Sequence, residues 1–394
     1  MEPGRDDDVR VPTPWESFAR WLGPPRGYQL TRTLIFRLLG FVYVFAFLGI
    51  IEQGPALLGS HGLTPIGTYV ERLHAAGATF WDVPSVFMVD ARFWDIPGAF
   101  MFGTSDTAIQ TWAWIGLAIS LAVMCGYANL PMLLVLWAIY GSYERVGQLW
   151  FAFGWEIQIL ETTLIAAMLA HPWDPRPLAA RPPPVTPIVL MRWLVFRIML
   201  GAGLIKLRGD PCWTHLTCLD FHFETQPLPN PLSPLFHHAP HWFHAFGVLY
   251  NHLVEVVAPF FVFGPRRLRL LAGALMFGFQ GILILSGNLA FLNWLTLVPI
   301  LACFDDDFLL RLCPRRVRAW LRARIRPAEP RDGLQLLAAM CIGGAVIISI
   351  AKLGWTAGAV VALVLSLTKA AVRYRRRLRT PGMPIDGHQV LAGV

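Results

Sequence analysis

Charged residues are scarce in this chain: Asp, Glu, Lys and Arg make up 15% of its 394 residues, against 55% hydrophobic side chains. Soluble domains carry about a quarter of their residues as charges, and the mean hydropathy here is +0.50. A water-soluble globular fold is therefore excluded, and a multi-span membrane protein is the starting class. The short motifs of soluble catalysis are missing as well. No P-loop, G-x-G-x-x-G, G-x-S-x-G or C-x-x-C occurs, so familiar soluble catalysis has no foothold. Cysteine is sparse, and only Cys212 and Cys218 share a loop, where they are a possible disulfide if that loop faces an oxidising compartment. Their C-x5-C spacing matches no common zinc arrangement, and the neighbouring HHAPHWFH lacks H-E-x-x-H geometry, so no metal and no cofactor are expected. A small-residue cleavage pattern is absent after the first apolar run, which makes residues 1–29 a cytosolic tail rather than a signal peptide.

What the chain does have is apolar runs. A span needs about 20 predominantly apolar residues, or about 17 at the short end. Candidates fall at residues 30–51, 111–125, 130–147, 150–170, 188–207, 243–263, 268–285, 289–303, 334–353 and 355–371. The expected fold is all-α, a polytopic transmembrane helical bundle of about ten spans. The net charge of +8 is almost all arginine at the ends of these runs, the pattern that sets orientation in a bilayer rather than the pattern of a nucleic-acid binder. Nucleic acid is set aside as a partner.

With the amino terminus in the cytosol and all ten runs crossing, the inside connections hold Arg10, Arg20, Arg26, Arg176, Arg181, the GPRRLR stretch and the arginines of residues 311–331, then RYRRRLR. The outside connections hold little beyond Arg72, Arg92 and Arg208. Both termini are then cytosolic. Residues 308–333 read as a basic cytosolic linker, 334–372 as a carboxy-terminal transmembrane hairpin and 373–394 as a basic cytosolic tail. Two long outside segments result, residues 52–106 and 208–242, rich in Trp, Phe, Pro and Gly and poor in strand alternation. They are expected to carry interfacial or re-entrant helices.

A charge at membrane depth costs roughly 2.5 to 3.5 kcal/mol on insertion scales, so each needs a partner, a wet cavity or a route to the headgroups. Arg37, Glu156, Glu161, Arg197 and Glu255 form the expected polar membrane network. Glu156 and Glu161 are five apart, about 140° around a helix, and point different ways, whereas Gln158 and Glu161 nearly share a face. Interhelical ion pairs, an outward-opening polar cavity and a proton or ion pathway all remain open readings of this set. His252 and Glu255 lie three apart on one helix face, placed for a pair or for a packed core histidine. Lys206 ends its apolar run beside a loop holding Asp210, Trp213, Asp220, His222, Glu224, Thr225, Gln226 and Pro227, the candidate client or pocket residues. Its readings are a snorkelling anchor, a salt bridge to Asp210 or Glu224, or a base in a membrane-embedded pocket.

Several stretches are specific. FRLLGFVYVFAFLGIIEQGPALLGSHGLTPIGTYVERL, YERVGQLWFAFGWEIQILETTLIAAML, GDPCW, ETQPLPNP, FGPRRLR and SGNLAFLNWLTLVPILACFDDD together resemble the lipase maturation factor family over residues 30–307. The resemblance implies a polytopic membrane protein that helps exported proteins, secreted dimeric lipases among them, to fold and assemble. Its partners would be the lipid bilayer and those clients, and its place the endoplasmic reticulum membrane or, in a bacterium, the inner membrane with the loop in the periplasm. Family members continue into a soluble carboxy-terminal domain that touches clients, whereas residues 334–371 here read as two further spans. GAGLIKL is also distantly similar to the A-G-x-x-K-L segment of vitamin K-dependent carboxylase-like membrane domains. That resemblance implies an alternative, a membrane-embedded enzyme acting on a lipid-soluble molecule or exported peptide with Lys206 as its base.

Overall fold

Inside a bilayer a backbone N–H or C=O finds no water, so an apolar run must satisfy its own hydrogen bonds, and a helix does so within one segment. The computed structural model describes residues 27–89, 101–178, 182–226, 228 and 230–325. Among the described residues every regular element is helical, and Asn129 and His171 make an isolated bridge. The helices are α1 (Gln29–Leu58), α2 (Ile66–Ala75), α3 (Asp106–Met124), α4 (Leu130–Val146), α5 (Gly154–Ala167), α6 (Val185–Arg208), α7 (Cys218–His222), α8 (Ser233–His237), α9 (His241–His252), α10 (Arg266–Ser286), α11 (Leu292–Ile300), α12 (Asp306–Leu312) and α13 (Arg315–Arg322).

Five are long and apolar enough to cross a membrane: α1, α3, α6, α10, and α9 together with its continuation to Phe263. The runs expected at 130–147, 150–170 and 289–303 form the shorter helices α4, α5 and α11, while those at 334–353 and 355–371, with both terminal tails, lie outside the described residues. Residues 52–106 carry α2, and residues 208–242 carry α7 and α8.

Helix ends follow local chemistry. The Ser105 hydroxyl accepts from the Ala108 N–H at 3.1 Å and starts α3, and Asn129 accepts from the Met132 N–H at 3.0 Å and starts α4, with Pro131 in the first turn. Packing between spans relies on small residues, because lipid gives helices no hydrophobic reason to associate. A Cβ on Gly40 of α1 would lie 2.4 Å from the Met124 nitrogen at the end of α3, so only glycine permits this crossing. Beside it the Tyr140 ring meets Tyr43 and Phe47 edge to face, centred 5.6 Å from Tyr43 and 5.7 Å from Phe47.

One end of the bundle is closed by the FDDD stretch. Asp306 accepts from the backbone N–H groups of Gln29 at 2.8 Å and Leu30 at 2.9 Å, capping α1 from 277 and 276 residues away. Thr31 returns a bond from its hydroxyl to the Phe304 carbonyl at 2.8 Å. Asp305, fully buried, receives Arg266 at 2.7 and 2.8 Å and Arg269 at 3.2 Å, both from the first turn of α10. Arg192 of α6 completes the clasp by donating to the Ala302 carbonyl at 2.9 Å and the Tyr28 hydroxyl at 2.8 Å. Burial opposes ionisation of Asp305, but the Arg266 bonds, the Phe308 N–H and the two guanidinium charges outweigh it and hold the carboxyl below its usual range. For Asp306 burial wins over the three backbone donors, and its carboxyl is pushed up.

Because Asp305 titrates lower folded than unfolded, it contributes stability that is present above the ordinary carboxylate pKa and is lost as pH falls through the lowered value. In detergent, the melting temperature of the protein should drop on acidification below about pH 4. Asp305→Asn should be less stable at neutral pH and show a smaller acid-side drop; an unchanged pH profile in that variant would remove Asp305 from the linkage.

Candidate functional site

Lys206 is the lysine of the described residues, and it sits two residues from the end of α6, where the helix dipole favours a cation. Its Nζ donates to Asn251 Oδ1 and to Glu255 Oε1, each at 2.7 Å, and Asn251 in turn donates to Glu255 Oε2 at 3.1 Å. The Trp213 ring lies over the ammonium at 4.9 Å and Phe279 borders it at 5.9 Å. Glu255 is 4% exposed and Lys206 24%, so this is a nearly buried ion pair between the last turn of α6 and the interior of the span that α9 begins.

The sequence GLIK explains how the pair forms. Beyond His252, α9 widens into a π-turn at Leu253–Val257, with Glu255 at its centre. Gly203 lets α6 approach this turn closely: a Cβ there would meet Val256 at 2.7 Å and the Glu255 Cβ at 3.0 Å. Lys206, three residues further along, shares the face of Gly203 and reaches the carboxylate. π-turns of this kind are frequent at functional sites.

GDPCW builds the lid. Asp210 accepts from the Cys212 N–H at 2.8 Å and caps the short turn Pro211–Trp213, which carries the indole over Lys206. The Trp213 carbonyl accepts from His252 Nε2 at 3.0 Å, so His252 serves the loop and Glu255 serves Lys206. Cys212 and Cys218 are joined in a disulfide with Cα atoms 4.7 Å apart, tying the turn to α7. From α7, Asp220 meets His244 at 2.7 Å and His241 at 3.0 Å on α9. Burial works against the Asp220 carboxylate, but the bonds to His244 and His241 hold it below its usual range. Burial, and then the Lys206 charge, pull His222 down.

The ETQPLPNPLS stretch closes the other side of the loop. Gln226 donates to the Ser286 carbonyl at 3.1 Å, Asn230 to the Ile284 carbonyl at 3.1 Å and the Gly287 carbonyl at 3.3 Å, and the Ser233 hydroxyl to Ser286 at 3.0 Å. These carbonyls end α10 and have no helical partner of their own. Glu224 pairs with His237 at 3.4 Å, Thr225 bonds back to the Phe221 carbonyl at 3.0 Å, and Pro227 lies outside the described residues. Lys206 thus takes Glu255 rather than Asp210 or Glu224 as its carboxylate.

The remaining membrane-depth residues do not meet in one cluster. Arg197 pairs with Glu161, buried Glu156 accepts from the Tyr140 hydroxyl, Gln158 donates to Thr296 at 3.2 Å, and Arg37 donates to the Cys125 carbonyl at 3.1 Å. Sequence reasoning missed Asn251, Asn230, Ser233, Asp305 and Asp306. Asn230, Asp305 and Asp306 stood in quoted stretches, and polar side chains beside the end of an apolar run were the available signal. Asn251 gave a weaker one, four residues before Glu255. Among the described residues, no group of three His, Cys, Asp or Glu side chains is arranged to hold a metal ion. The carboxylase-like reading gains nothing from the geometry, since both hydrogen bonds of Lys206 use its ammonium as donor.

Fold and site together define a helical integral membrane protein in which an ion pair joins two spans at a π-turn and a disulfide-bridged loop is fastened to helix ends by side-chain caps. Residues 30–311 match the lipase maturation factor transmembrane domain. Lipase maturation factor 1 of Bos taurus is 46% identical over 299 residues, covering 73% of this chain and 51% of that protein. Lipase maturation factor 1 of Homo sapiens is 44% identical over 295 residues, 73% of this chain and 50% of the relative, and lipase maturation factor 2 of Homo sapiens is 33% identical over 307 residues, 72% and 41%. The chain belongs to the lipase maturation factor family. It spans 51%, 50% and 41% of the length of these three curated relatives, about half or somewhat less, and no solved structure matches it.

Removing one partner of a buried ion pair strands the other at a cost of about 3 to 5 kcal/mol. Lys206→Met and Glu255→Met should each lower thermal stability strongly in detergent, and the double variant should recover part of the loss. Additive losses in that cycle would show that the two side chains are not coupled.

Proposed function

We propose that this chain is a membrane-resident maturation factor that assists the folding or assembly of exported proteins such as secreted lipases. The observation that carries the reading is membership of the lipase maturation factor family across most of the chain, through its transmembrane domain. In this reading about ten spans cross the membrane of the endoplasmic reticulum or a bacterial inner membrane, with both termini in the cytosol. The distribution of arginine supports that orientation, because the Asp305 end is the arginine-rich one. The Lys206 end then faces the exported compartment, and a disulfide there suits an oxidising space.

The working surface is the loop of residues 208–242, with residues 52–106 as the second outward segment in this orientation. Its frame is fixed by the Cys212–Cys218 bridge, the Asp220 contacts and the caps on α10, whereas Leu228, Leu235 and Trp242 stand 65%, 73% and 70% exposed. A rigid frame bearing apolar side chains at the interface offers an unfolded or unassembled client a place for its own exposed apolar surface. Asp210, Trp213, His222, Glu224, Thr225 and Gln226 shape this surface rather than act on a substrate.

The test co-expresses the chain with a secreted lipase and reads lipase activity per unit of secreted lipase protein. The chain should raise that ratio. Leu228→Ser, Leu235→Ser and Trp242→Ser together should lower it several-fold while the membrane-inserted amount stays unchanged. No effect of the chain on the ratio would refute the maturation role, and an effect that survives the triple change would refute the loop as its surface.

A further inference from the structure

Past the clasp the chain leaves the bundle as two short helices. Asp305 starts α12 by accepting from the Phe308 N–H at 3.0 Å, and Pro314 separates α12 from α13. On α13, Val317, Trp320 and Leu321 recur at i, i+3 and i+4 and share one face, while Arg315, Arg316, Arg318 and Arg322 occupy the rest. Val317 and Trp320 are exposed, as is Leu312 just before the helix. Residues 308–325 contain six arginines and no acid: Arg311, Arg315, Arg316, Arg318, Arg322 and Arg324. Arg318 is used internally, donating to the carbonyls of Arg311 and Cys313 at 3.0 Å each, which ends α12 and sets its angle to α13. Arg324 lies over the Trp320 ring at 3.9 Å. Arg311, Arg315, Arg316 and Arg322 remain exposed to whatever lies outside.

Position narrows what that is. Asp305 is bound to Arg266, the first residue of a candidate membrane span, so the clasp lies at the boundary of the bilayer. The 7 residues of α12 rise only about 1.5 Å each, which keeps α13 near the headgroups. The chain's own continuation offers a poor cover for a cationic helix, because its charge balance is positive, most of all in the RYRRRLR stretch.

We propose that α13 is a peripheral membrane-binding helix that lies on an anionic lipid surface at the Asp305 end of the bundle. Val317, Trp320 and Leu321 enter the boundary between headgroups and acyl chains, and Arg311, Arg315, Arg316 and Arg322 meet lipid phosphates. The inference rests on membrane insertion and is independent of the maturation role.

The test places the full chain in lipid nanodiscs of phosphatidylcholine alone or with about 30% phosphatidylglycerol and follows backbone hydrogen exchange over residues 315–325. Exchange should be slower by about tenfold or more in the anionic discs, and high salt should relieve that protection. Arg315→Gln with Arg316→Gln and Arg322→Gln should abolish it, whereas lysine at the same three positions should retain it, which separates charge from a folding defect. Equal exchange in the two lipids overturns the proposal: uniformly fast, it means a helix in water, and uniformly slow, a helix covered by protein.

Discussion

Two adjacent carboxylates, Asp305 and Asp306, hold the ends of the described chain together. Asp306 caps the first span, Asp305 draws in the Arg266 and Arg269 guanidinium groups of α10, and Arg192 of α6 joins through the Ala302 carbonyl and Tyr28. Four parts of the chain, far apart in sequence, therefore share one buried polar knot. Apolar packing in a bilayer is weakly directional, because a lipid tail contacts a leucine as well as another leucine does. A knot of charge-assisted bonds has no such substitute in lipid, so it selects one arrangement of helices. The neighbouring helix, α13, inherits its place from this knot.

The opposite end works by the same physics toward a different result. There the ion pair of Lys206 and Glu255 joins only α6 to the π-turn that follows α9, and the polar groups of the loop are taken up in fastening the loop itself. Asp210, Gln226, Asn230 and Ser233 all satisfy backbone groups that helix ends leave open. Leu228, Leu235 and Trp242 stay exposed on the same loop.

Much of this was legible in the sequence at the level of segments. Runs of apolar residues located the five long helices, because hydrophobic length has one dominant cause in a bilayer. Three of them match to within three residues at each end, while α1 runs seven residues past its expected end and α3 starts five residues before its expected start. GDPCW and ETQPLPNP stood out, and both prove to be stretches where side chains cap backbone. The spacing argument separating Glu156 from Glu161 agrees with their different partners, Tyr140 and Arg197. Partners themselves were not legible. Lys206 was weighed against Asp210 and Glu224, which are near in sequence, yet its carboxylate came from Glu255, beyond the loop, through a π-turn that leaves no mark in hydrophobic periodicity. Asp306 reaching Gln29 across 277 residues is further still from any local signal.

The sequence by itself therefore determined the class, the family and the positions at which charge meets the membrane, since composition and run length follow directly from the cost of placing polar groups in hydrocarbon. Only the tertiary structure decided which charge answers which. That choice depends on helix crossings set by single small residues, Gly40 against Met124 and Gly203 against the Glu255 turn, and a distance of a few ångströms between spans is not written in the periodicity of either one.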